Sequence, residues 1–399
     1  MNRISRMTLG LSLLIGLAAA PRSEAEILVP GKSGVELEAI DRAVRPQDDF
    51  YQFANGAWLD RTEIPAIYSS YSVYQQVNER VELSLQGIIE NAAANPGPAG
   101  SESRMVGDIF TSWMDEATIN RLGVSAIRSE LSIVDGVTDR KSLAEAFARL
   151  LRIGVRGPMR FLVDQDLKNS TVHVAYAHQD GLTFPDRDFY LDTANPKFDK
   201  ARAALPGYIG SMLKAAGRDE AGAAAIVELE TAIARAQWDK VKNRDNEATY
   251  NPRTIAELES LAPHIEWKPL LAALGAGSAD RVIVGQPDYF QALDGMIESR
   301  PLEEWKNYLA YRVMDERAAN LDSTTAAIRF EFRNRTLNGQ QVERERWKRG
   351  VSLVDRLVGQ AVGKLYVAQY FPPEAKARMN EMVRNVMKTL DASLDGLEW

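Results

Sequence analysis

The sequence predicts a mainly α-helical protein that carries one small β-hairpin. Beyond residue 73, apolar residues recur at three- and four-residue steps through most of the chain, which is the spacing of amphipathic helices. One segment, at 159–176, instead alternates apolar and polar residues as strands do. The 399 residues are 45% hydrophobic and 26% charged, so the composition is that of a globular protein with core for about two or three domains.

The first residues have the features of a secretory signal peptide. Arg3 and Arg6 precede an uninterrupted apolar run at 9–20, which is shorter than the roughly twenty residues that a helix needs to cross a bilayer. Ser23 and Ala25 supply the small residues of a cleavage site, so we predict a signal peptide at 1–25. The alternative is a short membrane anchor. Charges interrupt every later apolar stretch, so we expect no membrane span after cleavage and a secreted or periplasmic protein.

Two further segments lie in front of the helical body. Residues 26–47 contain two prolines and two glycines among mixed charges, which is typical of a flexible leader. We therefore place the start of the folded domain at residue 48 and its extent at 48–399. The residues that follow the leader crowd five large apolar side chains together: Phe50, Tyr51, Phe53, Trp58 and Leu59. We expect an aromatic-rich helix that packs on the core and is followed by a turn at Asn55-Gly56.

Apolar stripes and breakers divide the rest of the chain into elements. The hairpin strands are predicted around 159–163 and 172–176, and a further short strand fits 282–284. Tyr250-Asn251-Pro252 breaks the helical pattern. Thr254 and Glu257 then have the spacing of a capping box at the start of a short helix. Gly359 and Gly363 have the spacing that lets two helices approach closely. Helices are expected to begin near residues 73, 102, 124, 139, 198, 219, 254, 267, 302, 322, 353 and 373.

The charge distribution argues against a nucleic-acid-binding protein. Net charge is −7, and the most basic patch, E-R-E-R-W-K-R at 343–349, interleaves two glutamates with its arginines. We interpret this patch as a solvated helix face rather than a binding site. The absence of cysteine excludes disulfides, thiolate nucleophiles and cysteine-ligated metals.

No catalytic or metal-binding residue can be assigned from the sequence. His173, His178 and His264 are its three histidines, and none is followed by glutamate, so the zinc motif H-E-x-x-H is absent. His173 and His178 are five residues apart beside a predicted strand and should point to opposite faces. The sequence also lacks a complete P-loop and the motif G-x-S-x-G, and its carboxylate pairs are of the kind found on any soluble helix. The sequence also leaves the substrate-binding residues unknown.

Four segments in order resemble the neprilysin-like family of zinc metallopeptidases, of the bacterial type. They are D-D-F-Y-Q-F-A-N-G-A-W-L at 48–59, G-L-T-F-P-D-R-D-F-Y-L at 181–191, Y-N-P-R-T-I-A-E-L at 250–258 and W-K-R-G-V-S-L-V-D-R-L-V-G-Q-A-V-G-K-L-Y-V at 347–367. The chain departs from the family at Gly350, where members usually have cysteine, and at Asn55, where animal members have cysteine. It departs again at Tyr71, where some members have an arginine that holds a substrate carboxylate.

The resemblance implies an N-terminal, mostly helical lobe of a zinc endopeptidase that hydrolyses oligopeptides. In that family the zinc ligands lie further toward the C-terminus, and this sequence contains none of them. We therefore expect no cofactor in this chain, no activity of the chain alone, and a missing catalytic lobe as a partner. Because the catalytic motif is missing from this sequence, it stays open whether the chain is itself an enzyme. The alternative is a non-catalytic periplasmic module that binds peptides or a partner.

Overall fold

The computed structural model describes residues 36–397, so the predicted signal peptide at 1–25 lies outside the described residues. These form two compact units, one of residues 36–64 and 71–83 and the other of residues 65–70 and 84–397. Most described residues are helical, which confirms the mainly α-helical prediction. Among them the α-helices are α1 (Phe50–Arg61), α2 (Val73–Ala94), α3 (Glu102–Met114), α4 (Glu116–Leu122), α5 (Arg128–Asp135), α6 (Arg140–Arg152), α7 (Asp188–Leu191), α8 (Pro196–Ala215), α9 (Ala223–Ala236), α10 (Ile255–Leu261), α11 (Trp267–Leu274), α12 (Pro287–Ser299), α13 (Leu302–Arg317), α14 (Ser323–Arg329), α15 (Arg346–Tyr370) and α16 (Pro373–Asp395).

Shorter helical turns link some of these helices. They are 3-10 turns at Leu37–Ala39, Gly123–Ile127, Glu220–Gly222, Lys242–Arg244 and Ala318–Asn320, and α14 continues into a π-helix at Phe330–Leu337. Within residues 36–397, no helix is both long and apolar enough to cross a bilayer.

The first unit contains α1 and the segment that precedes it. Asp49 caps α1 by accepting a hydrogen bond from the backbone of Gln52. Arg61 at the other end donates to the carbonyl of Glu38, at 2.8 Å, so the described part of the predicted leader is tied to the helix. The domain limits at 26–47 and 48–399 stay predictions. Tyr71, in the same unit, donates its hydroxyl hydrogen bond to Glu79 at 2.9 Å.

The predicted turn at Asn55-Gly56 is wrong, because α1 continues through both residues. A Cβ at Gly56 would lie 2.8 Å from the Cβ of Asp41. The glycine therefore serves a close approach of the preceding segment to the helix and not a change of chain direction. The expected packing on the core is also wrong for Phe50 and Tyr51, which expose 70% and 66% of their surface.

The β-hairpin belongs to a four-stranded sheet, in the order β1-β2-β4-β3. The sheet is built from β1 (Met159–Asp166), β2 (Asn169–Gln179), β3 (Asn251–Thr254) and β4 (Arg281–Val284). The β1 and β2 strands pair antiparallel as predicted, β2 pairs parallel with β4, and β4 pairs antiparallel with β3. The predicted break of the helical pattern at 250–252 is confirmed, and β3 occupies this position just before α10. Pro252 is tolerated because β3 is an edge strand, where one missing donor is not needed.

The core of the second unit has a large part, a small part and a three-residue cluster on the sheet, formed by Val174, Tyr176 and Ile283. The large part contains buried residues from every helix between α5 and α13, and these helices pack on one face of the sheet. The small part packs α3 against α15 and the end of α2. Close approach in the small part occurs at Gly350, where a Cβ would lie 2.7 Å from the Trp113 ring. The predicted close approach at Gly359 and Gly363 is wrong, since a Cβ at Gly363 would meet nothing within 4 Å.

Candidate functional site

Two adjoining cavities of about 440 and 570 Å³ form a polar cleft in the second unit. Four residues line both cavities, and we call the combined space the cleft: Arg156, Gln179, Asp180 and Asn243. Alternate residues of β1 and β2 line one part, because side chains two apart on a strand share a face. Residues 182–188 line the other part.

A network of amide side chains makes the wall of the cleft rigid. Gln179 exchanges two hydrogen bonds with the backbone of Trp238, at 2.8 and 2.9 Å. Its own backbone NH donates to Gln286, and Gln286 donates to Asn243, both at 2.9 Å. Asn243 closes the network by donating to the Trp238 carbonyl at 3.1 Å. These bonds join β2, the turn after α9 and the start of α12, so the wall is formed before any ligand arrives.

Asp180 is a polar group in the cleft that has unused hydrogen-bonding capacity. Its side chain is 14% exposed, and its Oδ1 accepts from the Gly181 backbone at 2.8 Å. The guanidinium of Arg156 lies 3.7 Å from the same oxygen. Oδ2 is buried and has no partner among the described residues. A buried carboxylate oxygen in this state favours a ligand that brings a hydrogen-bond donor.

His178 lies on the sheet side of the cleft. Its ring is parallel to the Tyr176 ring, with centroids 6.0 Å apart. Burial lowers the pKa of His178, and Arg160, which faces it across the hairpin, lowers the pKa further. The imidazole is therefore neutral at pH 7 and can both donate and accept a hydrogen bond. A Cβ at position 285 would lie 2.4 Å from its Nδ1, so Gly285 leaves room for the ring.

The loop at 181–191 is one of the four segments that resemble the neprilysin-like family. Polar side chains of α13 hold it in place by hydrogen bonds. Gly181 has a φ of +100°, and a Cβ there would lie 2.6 Å from Pro158 and 2.7 Å from the Tyr308 hydroxyl. Only glycine accommodates both the positive φ and this approach. Tyr308 donates to the Gly181 carbonyl at 2.8 Å, and Arg312 donates to the Leu182 carbonyl at 3.3 Å.

Four charged residues lie beneath this loop, and we call them the buried charge cluster: Glu230, Arg312, Asp315 and Arg333. Arg312 is fully buried, with one nitrogen 3.9 Å from Glu230 and 4.0 Å from Asp315. Arg333 pairs with Asp315 and also donates to the carbonyl of Thr183. Because Arg333 lines the cleft as well, the cluster connects the core of the unit to the cleft wall.

Hydroxyl groups complete the cluster by donating hydrogen bonds to its two carboxylates. Glu230 accepts from Thr183 at 2.8 Å and from Tyr190 at 2.5 Å, and Tyr208 donates to Asp315 at 2.5 Å. Burial raises the pKa of Glu230 more than its partners lower it. Burial also acts to raise the pKa of Asp315, but the guanidinium of Arg333 outweighs it, and the pKa lies below its ordinary value.

The cluster was not predicted from the sequence, although the helical pattern contains a signal for it. Arg312 stands three residues after Leu309 and seven after Trp305, on the apolar stripe predicted for this helix. Glu230 stands four residues after Ile226, a buried position of α9. A charge inside an apolar stripe indicates a buried ion pair, but a partner on another element, such as Glu230 for Arg312, can be found only in three dimensions.

The three histidines do not converge, and the residues present do not fit a zinc site. His173 is exposed on the hairpin, while His178 lines the cleft. His264 uses both ring nitrogens in carboxylate contacts, with Asp294 at 2.8 Å and Glu298 at 3.3 Å. Among residues 36–397, no three histidine, aspartate or glutamate side chains are grouped so that they could hold a metal ion.

The basic patch at 343–349 is partly buried, which corrects its interpretation as a solvated face. Arg346 lies over the Trp113 ring at 4.5 Å and pairs with Glu116 at 3.5 Å. Arg349 pairs with Glu343 at 2.8 Å. The patch therefore attaches the start of α15 to α3.

Comparison with known proteins shows what this arrangement belongs to. The sequence pattern of peptidase family M13 matches residues 46–399. The chain is 28% identical to endothelin-converting enzyme-like 1 of Mus musculus, over 90% of this chain and 48% of that protein. It is also 28% identical to membrane metallo-endopeptidase-like 1 of Homo sapiens, over 91% and 50%.

The fold gives the same result. The structure of zinc metalloprotease Zmp1 from Mycobacterium tuberculosis, in complex with an inhibitor, superimposes with a TM-score of 0.83 and 36% identity. The match covers 92% of this chain and 56% of that one. The chain thus spans about half the length of the relatives it matches. The four segments noted in the sequence, the helical fold and the family pattern agree, and the chain belongs to peptidase family M13.

Proposed function

We propose that this chain forms the N-terminal helical lobe of an exported zinc metalloendopeptidase that cleaves oligopeptides, and that the chain alone has no peptidase activity. The observation that carries the proposal is the structural match to a zinc metalloprotease along nearly all of this chain but only part of the other. The absence of H-E-x-x-H from the sequence, and the separation of its three histidines, support the proposed inactivity.

A peptidase assay combined with metal analysis tests this proposal. The purified chain is incubated with quenched-fluorescent oligopeptides, with and without a chelator, and its zinc content is measured by mass spectrometry. We expect less than stoichiometric zinc and no chelator-sensitive cleavage, while a longer M13 peptidase treated in parallel cleaves the peptides. One zinc per chain together with chelator-sensitive cleavage would refute the proposed inactivity.

Export is tested separately by the mature N-terminus. If the signal peptide at 1–25 is cut as proposed, protein recovered from the periplasm or medium of a bacterial host begins at Glu26. Retention of Met1 in the membrane fraction would instead support the short membrane anchor.

The cleft favours a second candidate function, in which the chain binds oligopeptides without cleaving them. Its rigid amide wall and the unused acceptor on Asp180 are features of a binding site. Fluorescence anisotropy with a labelled oligopeptide pool measures this binding. We expect Asp180→Asn to weaken it about tenfold, since a hydrogen bond to a charged group is lost. Asp280→Asn, an exposed aspartate outside the cleft, is the matched control. Equal binding by both variants, or no binding by the parent chain, would contradict this function.

A further inference from the structure

A separate cavity of about 210 Å³ in the second unit has a positively charged wall. Its lining comes from the end of α3, the turn before α14, the end of α14 with the π-helix that follows, and the first half of α15. Four guanidinium groups and one carboxylate give the wall a formal charge of +3, and we call the space the arginine cavity after these residues: Arg329, Arg344, Arg349, Arg356 and Glu343. A cavity with one dominant sign of charge concentrates ions of the opposite sign.

Neighbouring carboxylates do not neutralise this charge. Within the wall, Glu343 pairs with Arg349 at 2.8 Å. Asp355 precedes Arg356 in α15 but is not a lining residue. Three further carboxylates near the cavity pair with basic residues outside its wall: Glu116 with Arg346, Glu345 with Lys348, and Asp315 with Arg333. Arg329 and Arg356 have no carboxylate partner among residues 36–397.

Packing orients two of the guanidinium groups before any ligand arrives. Arg329 uses its Nε to donate to the carbonyl of Asp315 at 3.0 Å, and its two terminal nitrogens have no partner among the described residues. The Cζ of Arg349 lies 5.6 Å from the centroid of the Trp113 ring, and one terminal nitrogen donates to Glu343 at 2.8 Å. These contacts leave donors of both arginines for a ligand in the cavity.

Arg356 supplies a further guanidinium from the same face of α15 as Arg349. The two residues are seven positions apart, which is two helical turns or about 10 Å. Arg356 is exposed, so its side chain is free to turn toward an ion in the cavity. Arg344 is held differently, since it lies over the Tyr68 ring at 5.9 Å and donates to Ser352 at 3.4 Å. Arg329, Arg349 and Arg356 are therefore the groups on which a ligand depends most.

The arrangement of these donors favours a tetrahedral oxyanion. A guanidinium binds carboxylate or phosphate through two parallel hydrogen bonds. A carboxylate has only two oxygens, whereas a phosphate group offers three or four to donors that arrive from different directions. The volume equals that of about seven water molecules at about 30 Å³ each, which is room for such a group. We propose that the arginine cavity binds a phosphate group through Arg329, Arg349 and Arg356. This inference does not rest on the proposed peptidase function.

Isothermal titration calorimetry of the full chain with sodium phosphate tests the inference, in about 0.1 M sodium chloride so that weak surface attraction is screened. We expect one ion per chain and a dissociation constant below about 1 mM. Arg356→Gln and Arg329→Gln should each weaken binding at least tenfold, because each removes charged hydrogen-bond donors. Arg149→Gln makes the same change at an exposed arginine of α6 and is the matched control, with no expected effect.

Unchanged far-ultraviolet circular dichroism establishes that each variant is folded. Arg356→Gln is the decisive variant, since Arg356 is exposed and makes no contact that the fold needs. No saturable binding up to about 10 mM phosphate overturns the proposal. Binding by both cavity variants that equals binding by Arg149→Gln overturns it as well.

Other anions test the chemistry of the ligand. Sulfate should displace phosphate, because it is also tetrahedral, while acetate should bind at least tenfold more weakly. Acetate binding as tight as that of phosphate would overturn the assignment to a tetrahedral group. Titration with O-phosphoserine distinguishes the source of the phosphate. Tighter binding than that of the free ion supports an organic phosphate ester, and weaker binding supports inorganic phosphate.

Discussion

Replacement of Arg312 by methionine is the sharpest test of the buried charge cluster. The substitution keeps an unbranched side chain of similar length but removes the guanidinium. Because Arg312 is fully buried, no solvent screening reduces the effect. Glu230 loses the positive charge that lies 3.9 Å from it. The carbonyls of Arg156 and Leu182 lose hydrogen-bond donors at 3.0 and 3.3 Å. Breaking a buried ion pair from one side costs about 3–5 kcal/mol, which is a large part of the stability of most proteins.

Urea unfolding at pH 7, followed by tryptophan fluorescence, measures this loss in the free energy of unfolding. Arg149→Met is the matched control, since Arg149 is exposed on α6, and we expect a change within about 0.5 kcal/mol. The double variant Arg312→Met, Glu230→Gln removes the uncompensated charge together with its partner. We therefore expect it to cost less than the two single losses together, by about 0.5–3 kcal/mol.

The reasoning is refuted if Arg312→Met costs less than about 1 kcal/mol, or if the losses in the double variant simply add. Either result would mean that the four charges do not act as one unit. The conformation of the loop at 181–191 would then depend on its aromatic packing. One such contact is that of Phe184 with Tyr190, whose ring centroids are 4.8 Å apart.

Two further predictions concern pH and packing. The pKa of His178 is lower in the folded chain than its ordinary value of 6.5, so the unfolded chain binds more protons below about pH 6.5. The free energy of unfolding should therefore fall as pH decreases from 6.5 toward the folded pKa. Urea unfolding at pH 7.5 and 5.5 measures this fall, which should be smaller for His178→Gln than for the parent chain. His173→Gln, at an exposed histidine, is the control and should behave like the parent. Gly350→Ala should destabilise the chain by about 1–3 kcal/mol, because its Cβ would press on Trp113, whereas Gly363→Ala on the same helix should stabilise by about 0.5–1 kcal/mol. Thermal melts of both glycine variants decide this, and equal shifts would show that the close approach is absent.

Local chemistry explains which features the sequence determined by itself. Helix periodicity, the hairpin and the capping box at Thr254 and Glu257 depend on residues a few positions apart, and the structure contains them all. The family was also readable, because four segments kept their order and spacing. The opposite uses of glycine were not readable. Gly56 and Gly350 allow close contacts with Asp41 and Trp113, which come from elsewhere in the chain. Gly363 has no such neighbour.

Tertiary structure alone decided how the strands pair into one sheet, and it alone decided the cleft and the buried charge cluster. The β3 and β4 strands are four residues each. β4 joins β2 from about a hundred positions away and β3 joins only β4, so no local pattern specifies their pairing. Asp180 became a candidate binding residue only because folding buries one of its oxygens without a partner. Arg312 stands in an apolar stripe, and its position there is stable because Glu230 arrives from α9 and Arg333 brings its charge to Asp315, the residue three positions after Arg312 in α13. A sequence specifies periodicity through neighbours, whereas compensation of a buried charge depends on residues that only the fold brings together.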